Sequence, residues 1–88
     1  MINKKSRLIN LIEAYKKREH YNFKKHNCIE KANLTMVAFE VGIPISRLGD
    51  YILLLKGLNI IGKYESSFTY CGYIFNEENF KKFKEGAK

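Results

Sequence analysis

The feature that most constrains this chain is a corner inside its most apolar segment. Residues 35–61 read TMVAFEVGIPISRLGDYILLLKGLNII, with Gly42 and Pro44 close together in the first half. Gly42 favours the left-handed conformation that ends many helices. Pro44 has no amide hydrogen, and its ring disfavours helical geometry at Ile43. The sequence therefore predicts that one helix ends at Gly42 and that a second helix starts just beyond Pro44.

The second helix is predicted over residues 47–56, with Ser46 as its N-cap and Gly57 as its stop. Apolar residues at helical spacing are predicted to face the core: Leu48, Tyr51, Ile52 and Leu55. The opposite face carries small, charged and apolar residues: Ser46, Gly49, Asp50 and Leu53, with Arg47 and Leu54 on its flanks.

The start of the first helix has two alternatives. Asn27 and Glu30 have the spacing of a capping box, which favours a helix over residues 28–41. Asn33 is also a suitable N-cap, and it favours a shorter helix that begins near Leu34.

The flanking segments predict further helices and strands of an α+β domain. In chain order these are a helix over residues 6–18 capped by Ser6, a possible short strand around Tyr21 and Phe23, strands over residues 58–64 and 68–75 joined by a polar turn, and a last helix that begins at Asn76.

The residues around the corner meet the packing needs of two crossing helices. Ala38 is small enough for the second helix to cross there, and Gly42 follows four positions later. Apolar residues occupy the buried spacings: Val37, Val41, Ile43, Leu48 and Tyr51. This pattern resembles the helix-turn-helix family, and the following hairpin resembles its winged-helix branch, over residues 34–75. The resemblance implies an α+β winged helix-turn-helix fold as a single domain over residues 1–88, with a three-helix core, a C-terminal β-hairpin wing and a short terminal helix.

The charge of the chain favours a polyanionic partner. The formal net charge is +7 over 88 residues. Residues 1–31 hold nine basic and three acidic residues, or +6, residues 32–62 are neutral, and residues 63–88 carry +1. A protein that neutralises phosphates releases counterions, so this excess is typical of proteins that bind nucleic acid.

The resemblance to the winged-helix family implies a set of DNA contacts. The second helix of that family enters the major groove, and the wing follows a phosphate backbone. The implied contacts of the second helix are Ser46, Arg47, Gly49, Asp50, Leu53 and Lys56. The implied contacts of the wing are Lys63, Tyr64, Ser66 and Ser67. The charge distribution adds phosphate contacts by Lys16, Lys17, Arg18, Lys24 and Lys25.

Two functional hypotheses follow. In the first, the protein is a small transcriptional or replication-control factor of a mobile element or virus, and it binds double-stranded DNA as a homodimer. The second hypothesis starts from the outward face of the helix, where Asp50 repels phosphate and two leucines have no obvious burial. Leu53 and Leu54 then form an apolar interface, either for a homodimer or for another protein.

Other site classes have weaker support in the sequence. Paired carboxylates, phosphate-binding glycine loops and activated nucleophiles are not recognisable, so we expect no enzyme and no cofactor. His20, His26 and Cys28 form a small cluster, but the spacing of a four-ligand metal site is missing. The candidates for a base-stacking surface are Tyr64, Phe68, Tyr70, Tyr73 and Phe75, but alternation along the strand places half of them in the core.

The sequence also predicts where the protein resides. The chain has two cysteines, Cys28 and Cys71, without a CxxC motif, which favours reduced thiols in the cytoplasm. No apolar run approaches the length of a membrane span, and the first fifteen residues lack the pattern of a signal peptide.

Overall fold

Five helices and three short strands form the described part of the chain, which confirms the α+β class. The computed structural model describes residues 4–66 and 71–86. In chain order the elements are α1 (Lys4–Arg18), α2 (Tyr21–His26), β1 (Cys28–Ile29), α3 (Lys31–Glu40), α4 (Ile45–Gly57), β2 (Ile61–Ser66), β3 (Cys71–Phe75) and α5 (Glu77–Gly86).

Helix α1 buries the apolar stripe that its periodicity predicts. Its buried residues are Leu8, Leu11, Ile12 and Tyr15. The predicted start of this helix is wrong, because α1 already includes Lys4 and Ser6 lies inside its first turn rather than at its cap. The cationic end at Arg18 agrees with the prediction and suits the negative end of the helix dipole.

The segment after α1 differs from its prediction. The residues that alternate at Tyr21 and Phe23 form the short helix α2, so the possible strand there is wrong. Asn27 ends α2 in the left-handed conformation, with φ of 58°, and β1 follows. Two alternating aromatic residues are too short a pattern to separate strand from helix, and the pairing with β3 selects Cys28–Ile29 instead.

Helix α3 begins at Lys31, between the two predicted starts. The Asn27 side chain donates to the Phe75 carbonyl oxygen at 2.6 Å and therefore does not cap α3. Glu30 is the N-cap, and its backbone N–H donates to the Tyr15 phenol oxygen at 2.9 Å. A side chain 15 positions away thus stabilises this helix start, which no local capping pattern can predict.

The corner between α3 and α4 confirms the central sequence prediction. Gly42 has φ of +86°, and the Ile43 N–H donates to the Ala38 carbonyl oxygen at 2.9 Å. Ala38 and Ile43 are both buried, and α3 packs against α4. The predicted cap is wrong by two residues, because Pro44 is the N-cap of α4 and Ser46 lies in the first turn.

The three strands form an antiparallel sheet in the order β1-β3-β2. Strand β2 begins at Ile61 instead of residue 58, because the chain makes a turn through Asn59 with φ of 59°. From Ile61 to Tyr64, β2 advances three residues while β3 advances two, which places a bulge at Gly62 and Lys63. Of the predicted second strand, Cys71–Phe75 is confirmed, and residues 68–70 lie outside the described residues.

Gly72 is a position that only glycine can occupy without strain. Its φ is +146°, and a Cβ atom there would lie 2.7 Å from the Ile29 carbonyl oxygen. The close approach of β3 to β1 therefore depends on the missing side chain.

The core lies between α1, the α3–α4 corner, the sheet and α5. Asn76 caps the last helix as predicted, since its side-chain oxygen accepts from the Asn79 N–H at 2.8 Å. The buried cluster includes every apolar residue predicted to face the core on α4: Leu48, Tyr51, Ile52 and Leu55. Further members come from α3, from β1 and β3, from the turn before β2 and from α5: Leu34, Ile29, Tyr73, Phe75, Ile60 and Phe80.

Candidate nucleic-acid interface

The outward face of α4 is accessible along its whole length. Burial of one stripe against the core orients the helix so that the six residues of the implied DNA contact are all exposed: Ser46, Arg47, Gly49, Asp50, Leu53 and Lys56. The face combines two cations, one carboxylate and a leucine that is 67% exposed. Arg47 and Lys56 can donate hydrogen bonds, Asp50 can accept them, and Leu53 can make an apolar contact.

A groove joins the end of α4 to the start of β2. Its volume is about 500 Å³, and its lining residues are Lys56, Asn59, Ile61, Gly62, Lys63 and Tyr64. Lys56 comes from α4, whereas Lys63 and Tyr64 come from β2, so the groove unites residues from two of the implied contact sets. The described residues that line it include no carboxylate. This charge pattern suits an anionic group such as a phosphate.

Two residues that line this groove, Lys56 and Tyr64, both contact the ring of Tyr73. The Lys56 Nζ atom lies 5.1 Å from the centroid of the Tyr73 ring, which is a cation–π distance. The Tyr64 ring contacts Tyr73 edge to face, with centroids 5.1 Å apart. A hydrogen bond with Cys71 raises the pKa of the Tyr64 phenol above its ordinary value. The bulge in β2 includes Lys63, which directly precedes Tyr64 in the chain.

The two strands of the hairpin are described, but residues 67–70 between them are not. Ser66 ends β2 and is exposed. Ser67 of the implied wing contact lies outside the described residues, as do Phe68 and Tyr70 of the aromatic surface. Tyr73 and Phe75 are buried, in agreement with the expectation that half of these aromatic residues belong to the core.

The N-terminal cations are largely engaged within the molecule. Lys16 donates to both carboxylate oxygens of Glu77, at 2.8 and 2.9 Å. Arg18 forms an ion pair with Glu40, and Lys24 lies 3.4 Å from a Glu19 oxygen. Three of the five predicted phosphate contacts therefore have an intramolecular carboxylate partner.

Lys17 and Lys25 differ from those three residues. Both are exposed, and neither forms an ion pair within residues 4–66 and 71–86. Lys25 lines a groove of about 420 Å³ together with Glu19, Tyr21 and Lys24. The Glu19 carboxylate lowers the attraction of this second groove for phosphate, compared with the groove at Lys56 and Lys63.

Sequence reasoning missed several exposed apolar residues of the corner. Met36, Phe39 and Ile45 are 65%, 75% and 62% exposed, more than Leu54, which the sequence did single out. The signal was present, because a helical wheel of residues 31–40 has apolar residues on every side. Asn59, which lines the groove at Lys56, was also missed, since its place depends on the turn after α4.

A third groove, with a volume of about 500 Å³, lies between α3, α4 and β3. Its lining residues are Lys31, Thr35, Ile45, Leu48, Gly49, Asp50, Ile52, Leu53 and Tyr73. It is mainly apolar, with one cation and one carboxylate at its rim. Half of the exposed α4 face therefore borders an apolar surface, and the Lys56 end borders a cationic one.

The histidines and cysteines form no recognisable metal centre in this part of the chain. Within the described ranges, no three His, Cys, Asp or Glu side chains lie close enough together to hold a metal ion. Cys28 and Cys71 are free thiols. Burial raises the pKa of the Cys28 thiol, which keeps it in the less reactive protonated form.

Comparisons of the chain with known protein families, with curated proteins and with solved structures give no match. None of the helices within residues 4–66 and 71–86 combines the length and apolar character needed to cross a bilayer. The interpretation of the interface therefore depends on its own geometry and charge.

Proposed function

We propose that this protein is a winged helix-turn-helix protein that binds double-stranded DNA through α4 and the β2–β3 hairpin. The role proposed for it is that of a small transcriptional or replication-control factor. The observation that carries the proposal is the groove at Lys56, Lys63 and Tyr64, where the helix and the hairpin meet and none of the described lining residues is a carboxylate. The element order supports it too, since the helical corner is followed directly by an antiparallel hairpin.

The dimensions of α4 suit a major groove. A helix of 13 residues is about 20 Å long, and the major groove is about 12 Å wide. In this arrangement Arg47 can donate to guanine, Asp50 can accept from a cytosine amino group, and Leu53 can contact a thymine methyl group. Lys56 and Lys63 bind phosphates at the edge of the groove, and they position the helix without reading sequence.

The available charge sets the expected strength of binding. Lys56 and Lys63 supply two cations beside the helix, and Lys17 and Lys25 are two more without ion-pair partners in the described residues. Two to four neutralised phosphates give a plot of log affinity against log salt a slope of about −2 to −4. We propose that the protein acts as a homodimer, because one such module reads few base pairs and two half-sites raise specificity.

A salt titration of DNA affinity tests this function. We expect affinity for a labelled duplex to fall roughly 15- to 250-fold between about 50 and about 200 mM salt. The matched variant Arg47→Gln, assayed on a panel of duplexes, should change the sequence preference more than the salt slope. Affinity that stays constant over this salt range contradicts the proposal.

A protein-interaction module is the second candidate function. It is favoured by the exposure of Leu53, which is 67% accessible on the outward face of α4, with Leu54 next to it. Under this hypothesis Leu53→Glu dissociates a protein complex but leaves the monomer folded. DNA affinity that survives Leu53→Glu, together with an unchanged assembly state, contradicts this second function.

A further inference from the structure

The ring of Tyr73 is contacted from both elements that border the groove at Lys56 and Lys63. The Lys56 Nζ atom, in the last turn of α4, lies over the ring at 5.1 Å from its centroid. The Tyr64 ring, on β2, meets the Tyr73 ring edge to face, with the ring planes at 83°. Tyr73 belongs to β3 and is only 7% exposed, so packing in the core fixes its position. Its ring therefore links the helix to the hairpin.

An aromatic ring holds a cation differently from a carboxylate. The face of the ring attracts an ammonium group through its quadrupole, but the ring carries no net charge. A lysine held in this way keeps its full charge and the N–H groups that point away from the ring, so it can still bind a phosphate. Because its side chain is already ordered, less conformational entropy is lost when a partner binds.

Lys16 provides a contrast within the same molecule. Its Nζ atom lies 5.9 Å from the ring centroid of Phe75 and 5.6 Å from that of Phe80. The same ammonium group also donates to both carboxylate oxygens of Glu77, which compensates its charge. Lys56 has a ring at a shorter distance and no ion-pair partner among the described residues. The ring thus orders Lys56 without removing its charge.

We propose that Tyr73 is a positioning residue for DNA binding, and that its ring holds the Lys56 ammonium group in the orientation in which it binds a phosphate. Tyr73 acts through Lys56 and Tyr64, since it is not among the described residues that line their groove. The effect on DNA rests on the proposed function. The ordering of Lys56 in the free protein does not depend on that function.

NMR spectra of the free protein test whether the ring orders Lys56. Protons over the face of an aromatic ring resonate upfield of their usual position, so the Hε protons of Lys56 should be displaced upfield. Lys17 and Lys25 give the reference position, because both are exposed and neither has an ion-pair partner among the described residues. Tyr73→Leu should move the Lys56 resonances to that position, and Tyr73→Phe should leave them displaced. Wild-type Lys56 resonances at the reference position overturn the proposal, whatever the affinity for DNA.

Duplex affinity measures the consequence of this ordering. Tyr73→Leu should weaken binding about two- to fivefold, the size of a cation–π contact at an exposed site, and Tyr73→Phe should retain wild-type affinity. In the Lys56→Gln background, Tyr73→Leu should have no further effect, because the cation is missing. Phe75→Leu is the matched control, since it removes a buried ring from the same strand beside Lys16, whose charge is compensated. It should leave DNA affinity unchanged.

The control and the Lys56→Gln background separate positioning from stability. A merely structural role of Tyr73 predicts that Phe75→Leu weakens DNA binding as much as Tyr73→Leu does, or that Tyr73→Leu still weakens it without Lys56. Either result overturns the proposal. The wild-type spectra need no substitution, so they test the contact even where Tyr73→Leu unfolds the protein. A wild type that binds no duplex while its Lys56 resonances are displaced shows that the proposed function is wrong and that the ring nevertheless orders Lys56.

Discussion

The molecule has two cationic regions that behave differently. The N-terminal region, α1 and α2, carries most of the positive charge, yet Lys16, Arg18 and Lys24 each have a carboxylate partner. The region between α4 and β2 carries Lys56 and Lys63, and they share a groove whose lining, as far as the structure describes it, holds no carboxylate. The segment of the sequence with the largest net charge is therefore not the part of the surface whose cations are available to a partner.

The two regions should therefore control different properties. In the N-terminal region, ion pairs and the hydrogen bond from Glu30 to Tyr15 join α1 to α3 and α5, so changes there should alter stability. The groove at Lys56 and Lys63 has no carboxylate among its described lining residues. Changes to these two lysines should therefore alter affinity for DNA.

The largest expected effect is on stability, from Gly72→Ala. The new Cβ atom meets the Ile29 carbonyl oxygen at 2.7 Å, and the positive φ of Gly72 is unfavourable for alanine. We expect a loss of about 3 kcal/mol in the free energy of unfolding, measured by urea denaturation. Gly49→Ala is the matched control, because its Cβ meets nothing within 4 Å; equal losses for both would show that β3 does not depend on this close approach to β1.

The next effect is on DNA affinity and compares the two regions directly. The double variant Lys56→Gln/Lys63→Gln should weaken duplex binding at least about tenfold and reduce the salt slope by about two. Lys16→Gln/Arg18→Gln removes the same formal charge, and it should change the slope by well under about one unit, since these cations are already paired. Fluorescence anisotropy at several salt concentrations measures both. Equal slopes for the two double variants would contradict the division into two regions.

Alkaline pH should lower the stability of the folded protein through Cys28, which lies in β1. Burial raises the pKa of this thiol, so the folded state holds its proton to higher pH than the unfolded state does. Stability from this group is complete below about pH 9, where an exposed thiol titrates, and it is lost as the pH rises through the folded pKa. Urea denaturation between about pH 7.5 and pH 10.5 should show this decline, and Cys28→Ala should reduce it. An identical decline in Cys28→Ala would assign the effect to other groups.

The smallest effect concerns the ion pair between Lys16 and Glu77. Both side chains are partly exposed, so the pair should contribute about 0.5 kcal/mol to the free energy of unfolding. A double-mutant cycle with Lys16→Gln and Glu77→Gln measures this coupling by thermal denaturation. A coupling near zero would mean that Lys16 is available to a partner after all.

Local patterns predicted the corner and its buried stripe. Gly42, Pro44 and the spacing of Leu48, Ile52 and Leu55 act within a few residues, so the end of α3, the presence of α4 and its orientation followed from the sequence. The possible strand at Tyr21 failed for the opposite reason, because two alternating aromatic residues do not outweigh pairing elsewhere.

The candidate site was predicted in part. The exposure of Arg47 and Asp50 followed from the helical wheel of α4. The groove did not, because it depends on the turn at Asn59 and on the bulge in β2, which bring Lys63 to Lys56.

The sequence by itself determined the helical corner, the stripe that α4 buries and the excess of positive charge. Only the tertiary structure decided which charges are free and which apolar residues are covered. Lys16 and Glu77 are 61 positions apart, and Lys84 and Glu13 are 71 apart, yet each pair is in contact. Caps and periodicity act between neighbours along the chain, whereas ion pairing and burial depend on distances in space that exist only after the elements have packed.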